Sequence, residues 1–313
     1  MSEVHFIVGA GPVGRHLAAL LVERGHEVVV ATRSGRDTGI DGVHHVAIDA
    51  ADAEALTSES KGAAVLYNCA NPTDYTRWAR EWPPLAASMI VAAERTGAVY
   101  AATENLYAYG PVDVPMHEGL PEIATDSKGA LRARLWAQTR KAHNDGRIRA
   151  VQVRGSDYIG PGVGANGHLS RVLPKALEGK NVTVIGSPDQ PHTFTYVNDV
   201  ARTLAAAAAD PTAYGRSWHV PSNAPRTQRQ ALTDLLATAG RPPVKIRGLP
   251  PILLRTLGLV SPLMREVADM SYQWTRPYVL DDSAARQHFG LEPTPWEEIC
   301  RRSIQPAEAS VSR

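Results

Sequence analysis

Short apolar runs alternate with longer amphipathic stretches through the first half of the chain, and that rhythm predicts its elements. The run Val4-His5-Phe6-Ile7-Val8 has the length and apolar density of a buried strand. A helix is predicted over 12–24, and further strands over 27–31, 43–48, 63–69, 98–103 and 149–154. Helices over 85–96 and 127–144 separate the later strands. Strands alternating with helices in this way predict a doubly wound parallel α/β sheet covered on both faces. Beyond Gly155 the texture changes to short segments rich in Gly and Pro. Short strands are expected at 182–185 and 217–220 and helices at 201–209 and 229–239, with the loop 160–164 crossing over the site. This divides the chain into a unit over 1–155, its sheet completed by later segments near 192–215, and a smaller C-terminal α/β unit over 156–313.

The junction between the first strand and the first helix reads Gly9-x-Gly11-x-x-Gly14. In a dinucleotide-binding turn the first glycine permits the tight bend, the second lets the pyrophosphate approach the backbone, and the third allows close helix–strand packing. Pro12 and Val13 begin the helix, whose N-terminal N–H groups and positive dipole end would face the diphosphate. The second strand runs into Thr32-Arg33-Ser34-Gly35-Arg36, where an NAD-selective unit would carry a carboxylate for the ribose 2′-hydroxyl. Here Arg33 and Arg36 suit a 2′-phosphate, with Ser34 as a further donor, which favours NADP(H) over NAD(H). Asp49-Ala50, after the third strand, is placed against the adenine, and Ala70, after the fourth, joins the cofactor set.

Composition narrows the remaining classes. With 313 residues, 43% apolar, the chain is long enough for one α/β domain and a smaller partner. A net charge of +1 gives no electrostatic reason to expect nucleic acid or an anionic membrane, and points to a small-molecule substrate. The first strand begins at once where a leader's basic and apolar regions would lie, and the apolar stretch 252–260 is too short to span a bilayer. A soluble, cytoplasmic protein is expected. Two cysteines suggest no disulfide framework, and eleven scattered histidines without HExxH spacing suggest no metal site.

Landmarks further along carry a resemblance: Tyr109-Gly110-Pro111, Lys128, Arg154 followed by Ile159-Gly160-Pro161, and Phe194-Thr195-Tyr196-Val197-Asn198-Asp199-Val200. With the glycine turn, they make the chain resemble the extended short-chain dehydrogenase/reductase superfamily, which includes nucleotide-sugar epimerases and dehydratases. The similarity is to atypical members, because the usual turn spacing is GxxGxxG. The resemblance implies a Rossmann-like fold and a nicotinamide-ribose role for Lys128. It also exposes departures: the usual catalytic tyrosine position is Ala124, and the usual serine or threonine position is Asn105. Asn105 would orient a carbonyl, and Tyr107, where dehydratases carry a glutamate, would supply a proton if its pKa were lowered.

Position along the strand ends suggests the substrate side: Asn71, Tyr75 and Trp78 after the fourth strand, Asp157 and Tyr158 after the sixth. His168 and Arg171 are placed at the start of a helix after the glycine loop, and His192 and Tyr196 flank the returning segment. The aromatic residues suggest a ring-containing substrate. The expected activity is an NADP(H)-dependent oxidoreductase acting on a small carbonyl or related unsaturated compound. An epimerase or dehydratase that retains its cofactor and a non-catalytic NADP-sensing regulator are the alternatives. A homodimer built on helices 85–96 and 127–144 is expected, with Leu131, Leu135, Gln138 and Ala142 as an interface stripe that an intrachain contact would explain equally well.

Overall fold

A computed structural model describes residues 2–305. In chain order the strands are β1 (Val4–Val8), β2 (Glu27–Thr32), β3 (Val43–Ala47), β4 (Val65–Asn68), β5 (Val99–Asn105), β6 (Arg149–Gly155), β7 (Asp157–Ile159), β8 (Val182–Ile185), β9 (Phe194–Tyr196), β10 (Ser217–His219) and β11 (Ile246–Leu249). The helices are α1 (Pro12–Glu23), α2 (Ala53–Glu59), α3 (Trp78–Thr96), α4 (Ser127–Asn144), α5 (Leu173–Leu177), α6 (Val197–Ala209), α7 (Gln228–Thr238), α8 (Pro251–Gly258), α9 (Pro262–Asp269), α10 (Tyr272–Thr275), α11 (Ser283–Phe289) and α12 (Trp296–Ile304).

Seven strands form one parallel sheet in the order β10-β6-β5-β4-β1-β2-β3. The connection reverses direction at β1, so the carboxyl ends of β1 and β4 open a crevice between them. Successive side chains point to opposite faces. Phe6 and Val8 join one core with Leu66, Tyr100 and the α3 tryptophans, while Ile7 joins the other with Leu17, Val153 and Leu204. The seventh strand, β10, lies just past the 192–215 window. That window instead contributes β9, which pairs with β7 in a small parallel sheet, and α6, whose apolar face covers the large one. A second small sheet pairs β8 with β11. Among the described residues, no helix is long and apolar enough to cross a membrane.

Local chemistry explains the helix boundaries. Pro12 opens α1, where its missing N–H is no loss. Asp126 caps α4 by accepting from the Lys128 and Gly129 N–H groups at 3.1 and 2.8 Å. The start of α3 differs from expectation. It begins at Trp78 rather than 85 and carries Pro83 and Pro84 inside. The carbonyls they leave unpaired belong to Ala79 and Arg80, both exposed to water, while Trp78 and Trp82 bury their indoles and hold the turn in place. The α4 stripe is also reassigned: Leu131, Leu135 and Ala142 pack within the chain's own core, and Gln138 is exposed.

Candidate functional site

The glycine turn lies at the carboxyl edge of β1. Gly9 has φ +104°, and a Cβ there would meet the Ala70 backbone N at 2.7 Å. A Cβ on Gly14 would fall 2.0 Å from the Gly9 carbonyl oxygen, so α1 can approach β1 only because residue 14 lacks a side chain. A Cβ on Gly11 would instead meet nothing within 4 Å. The free space therefore lies over the middle glycine, in front of the α1 N-terminus, where a pyrophosphate fits. The loop 160–164 crosses above it, with Gly162 facing Pro12.

From this turn a cleft of about 710 Å³ runs across the carboxyl ends of β1, β4, β5 and β6. Gly9, Gly11, Pro12, Val13, Arg33, Asp49, Ala50 and Ala70 line its cofactor end, and Asn71, Tyr75, Trp78, Asn105, Tyr107 and Tyr158 line the other. Thr32 closes β2 with a buried hydroxyl that lacks a hydrogen-bond partner among the described residues, and the residues that follow it, Arg33-Ser34-Gly35-Arg36, include no carboxylate. Gly14 is buried beneath the turn, while Ser34 and Arg36 are exposed beyond the lining.

At the far end, the Tyr75 and Tyr107 hydroxyls are 3.0 Å apart. Trp78 stacks on Tyr75 at 4.7 Å and on Tyr107 at 6.2 Å. Tyr107 sits on a short 3₁₀ turn whose backbone N–H donates to Asn105 Oδ1 at 3.0 Å. Asn105 is thus engaged in holding the Tyr107 loop. Burial, with Tyr75 and Asp157 nearby, pushes the Tyr107 phenol well above its ordinary range. The lowered pKa expected from sequence is therefore corrected: burial keeps Tyr107 a neutral phenol and a weak acid, able to donate a hydrogen bond but to give up its proton only to a strongly basic oxygen.

A second correction concerns α4. Lys128 does not line the cleft: its Nζ lies 2.7 Å from Glu266 on α9, and both side chains are largely buried. One helical turn on, Arg132 reaches the cleft instead, its Nε 2.6 Å from the Glu104 carboxylate. Its guanidinium lies 3.6 Å over Trp82 and 5.2 Å from the Trp78 ring centre. The Arg132 Nε–H is misaligned for a hydrogen bond, so this contact is an ion pair. Burial pushes the Glu104 carboxyl up, and Arg132 and Arg154 pull it only part of the way back.

Asp157, the first residue of β7, lines the cleft. Burial alone would raise its pKa, but His192, with Nε2 at 2.9 Å, and the Trp274 indole N–H at 3.1 Å hold it down at about 2. His192 and His168 stand behind the cleft lining. His192 Nδ1 meets the Gln273 carbonyl at 3.1 Å. His168 contacts the Gln228 side chain, stacks on Trp274 at 4.5 Å and is lowered by burial to about 4. Arg171 is exposed in turns ahead of α5 and also lies outside the lining. His168 and Arg171 precede α5, which begins only at Leu173, so neither opens a helix as expected; Arg171 still interacts electrostatically with the cleft residues Tyr75 and Asp157.

The family profile of the NAD dependent epimerase/dehydratases matches residues 6–220. The chain belongs to that family. This family member is 25% identical over 256 residues to 2-alkyl-3-oxoalkanoate reductase of Stenotrophomonas maltophilia, covering 75% of each chain. Its fold is similar to an epimerase from Methanothermobacter thermautotrophicus, with TM-score 0.81, 16% identity, and 96% and 91% of the two chains covered. It is also similar to the Bordetella bronchiseptica enzyme WbmH in complex with NAD⁺, with TM-score 0.75, 20% identity, and 97% and 98% covered.

Several residues of this family member's cleft were not legible in the sequence. Glu104 was hidden within β5, and Arg132 shares the α4 stripe with Lys128. Gln273 and Tyr278 come from the C-terminal segment; both Gln273 amide atoms and the Tyr278 hydroxyl are buried without a partner among the described residues. Ser156 Oγ shares that condition. Buried polar atoms left open toward a cleft are the groups a polar ligand would satisfy.

Proposed function

We propose that this protein is an NADP(H)-dependent oxidoreductase that reduces a small carbonyl or related unsaturated compound. The observation that carries this reading is the Tyr75–Tyr107 phenol pair, 3.0 Å apart, in the same cleft as the glycine turn. Family membership supports a nicotinamide dinucleotide, and the similarity to a 2-alkyl-3-oxoalkanoate reductase supports carbonyl reduction. Arg33 on the cleft lining, at the end of β2 where the sequence carries no acidic residue through Arg36, supports NADP(H) over NAD(H).

The bound cofactor would supply hydride to the carbonyl carbon. Tyr107, kept neutral by burial, donates a hydrogen bond to the carbonyl oxygen and passes its proton to the strongly basic alkoxide that hydride addition creates; Tyr75 returns a proton to Tyr107 and takes one in turn from solvent. Asn105 fixes the Tyr107 backbone, and Trp78 backs both rings. The cations lining the cleft argue against a nucleotide-sugar diphosphate. Arg132 is committed to Glu104, Arg80 lies 3.3 Å from Glu81, and Arg33 is at the cofactor end. No cation pair remains at the substrate end among the described lining residues.

Calorimetric titration of wild type and Arg33→Ala with NADPH and NADH tests the cofactor. Loss of a charge-assisted contact should weaken NADPH about 10- to 100-fold and leave NADH nearly unchanged. Turnover is then followed as NADPH consumption against a panel of small ketones. Absence of dinucleotide binding refutes the reading; binding without turnover on any carbonyl supports the NADP-sensing alternative.

A further inference from the structure

At the opposite pole from the cleft, the amino ends of β1 and β2 bring together Glu3, His5 and His26. No sequence spacing announces this group. Parallel pairing sets Val4 beside Glu27 and His5 beside Val28, so His26 enters next to β1 by strand register alone. One ligand atom from each of the three side chains lies within 4.8 Å of the others. The two imidazoles meet edge to face, with ring centres 4.4 Å apart.

The nitrogens that face this point are the unusual feature. His5 Nε2 and His26 Nδ1 are both buried, and neither has a hydrogen-bond partner among the described residues. The Glu3 carboxylate lies 3.9 Å from His5 Nε2, too far for a hydrogen bond, and its side chain is exposed. The other nitrogen of His5 is satisfied: Nδ1 lies 3.1 Å from the Tyr67 hydroxyl, which can accept its proton. With Nδ1 donating, Nε2 carries a free lone pair on the side of the ring that the Glu3 carboxylate approaches. An outer hydrogen bond on one ring nitrogen with the second nitrogen free is the arrangement that metal-bound histidines use. The backbone is firm on both sides, since Glu27 N–H donates to the Glu3 carbonyl at 3.0 Å and His26 N–H to the Leu21 carbonyl at 3.1 Å. Arg24 and Glu3 act on the neighbouring Tyr67 with opposite sign.

We propose that Glu3, His5 and His26 form a structural site for a first-row divalent cation of the zinc class. His5 Nε2, His26 Nδ1 and the Glu3 carboxylate are its three protein ligands, and solvent takes the fourth position. Two imidazoles and one carboxylate suit Zn²⁺ in tetrahedral coordination and do not suit Mg²⁺ or Ca²⁺, which take oxygen ligands. Closing the ligand atoms onto one ion requires a small inward swing of the exposed Glu3 side chain. The ion would clip the start of β1 to the α1–β2 turn. It has no part in the reaction, because β1 separates it from the glycine turn.

The test uses the full chain, stripped with EDTA and titrated with ZnCl₂ against a chromophoric zinc competitor. One equivalent should bind, and Glu3→Gln and His26→Gln should each weaken it at least about tenfold. At zinc about 100-fold above its dissociation constant, the wild-type melting midpoint should rise by about 5 °C, with little change in either variant. Both variants alter side chains at the surface or half-buried, and circular dichroism checks that they fold. No saturable binding, or binding untouched by both substitutions, overturns the proposal; the second result would assign the zinc to other histidines.

Discussion

Replacing Arg132 by methionine isolates the largest electrostatic commitment in the cleft. At 2.6 Å and an effective dielectric of 20, the Arg132–Glu104 attraction is about 6 kcal/mol before desolvation is counted. Desolvating both charges offsets much of this, yet removing one partner of a buried pair typically costs about 3–5 kcal/mol, because the other charge is stranded. Methionine keeps most of the apolar contact with Trp82 and Trp78 but loses the cation–π attraction, worth about 2 kcal/mol when desolvated. Glu104 limits the damage by taking a proton, a response already favoured by its burial. The expected loss is about 3–5 kcal/mol, or a fall in melting midpoint of roughly 6–20 °C for a chain of this size. The double variant Glu104→Gln/Arg132→Met should recover at least half, since neither charge then remains. Denaturant unfolding of the four proteins closes the cycle. A cost under about 1 kcal/mol for Arg132→Met, or a double variant equal to the sum of the singles, refutes the reasoning.

Tyr107→Phe should lower kcat about 10²- to 10⁴-fold with little change in KM, while Tyr75→Phe, one step removed, should cost less; steady-state kinetics on the first active ketone separates them. Gly14→Ala should abolish dinucleotide binding and lower the melting midpoint, because the new Cβ would sit 2.0 Å from the Gly9 oxygen. Stability should also fall as pH drops below about 6.5. Burial lowers His168 to about 4 and His219 to about 3, so the unfolded chain takes up these protons first. Their contribution is full above the unfolded pKa and is lost on acidification, at up to about 1.4 kcal/mol per pH unit for each. A denaturation midpoint unchanged between pH 7.5 and 5 would contradict this.

What was legible in the sequence was what local sterics alone decide. Gly9 takes a positive φ in the bend and Gly14 clears the Gly9 carbonyl five residues back, so the glycine spacing carried the turn, the strand before it and the helix after it. The chemistry of α4 was not decided locally. Lys128 and Arg132 lie one turn apart on one stripe, and which of them enters the cleft depends on how far the helix slides along β5. Asp126 sets that position by capping the helix two residues before Lys128, leaving the lysine at the mouth beside α9. Pro83 and Pro84 misled for a related reason: propensity argues against a helix there, and two buried tryptophans outweigh it. Gln273 and Tyr278 reach the cleft from more than 100 residues beyond β6, with no motif around them to announce it.

The place of β10 has a consequence for how the chain is made. Synthesis delivers β1 through β6 first, but β6 then presents an unpaired edge, and Val151 and Val153 lack the α6 side chains that cover them. That edge is capped only after some sixty further residues have left the ribosome. A fragment ending at residue 155 would therefore be a sticky nascent intermediate, and proteolysis of arrested chains should find β6 protected only once β10 has emerged.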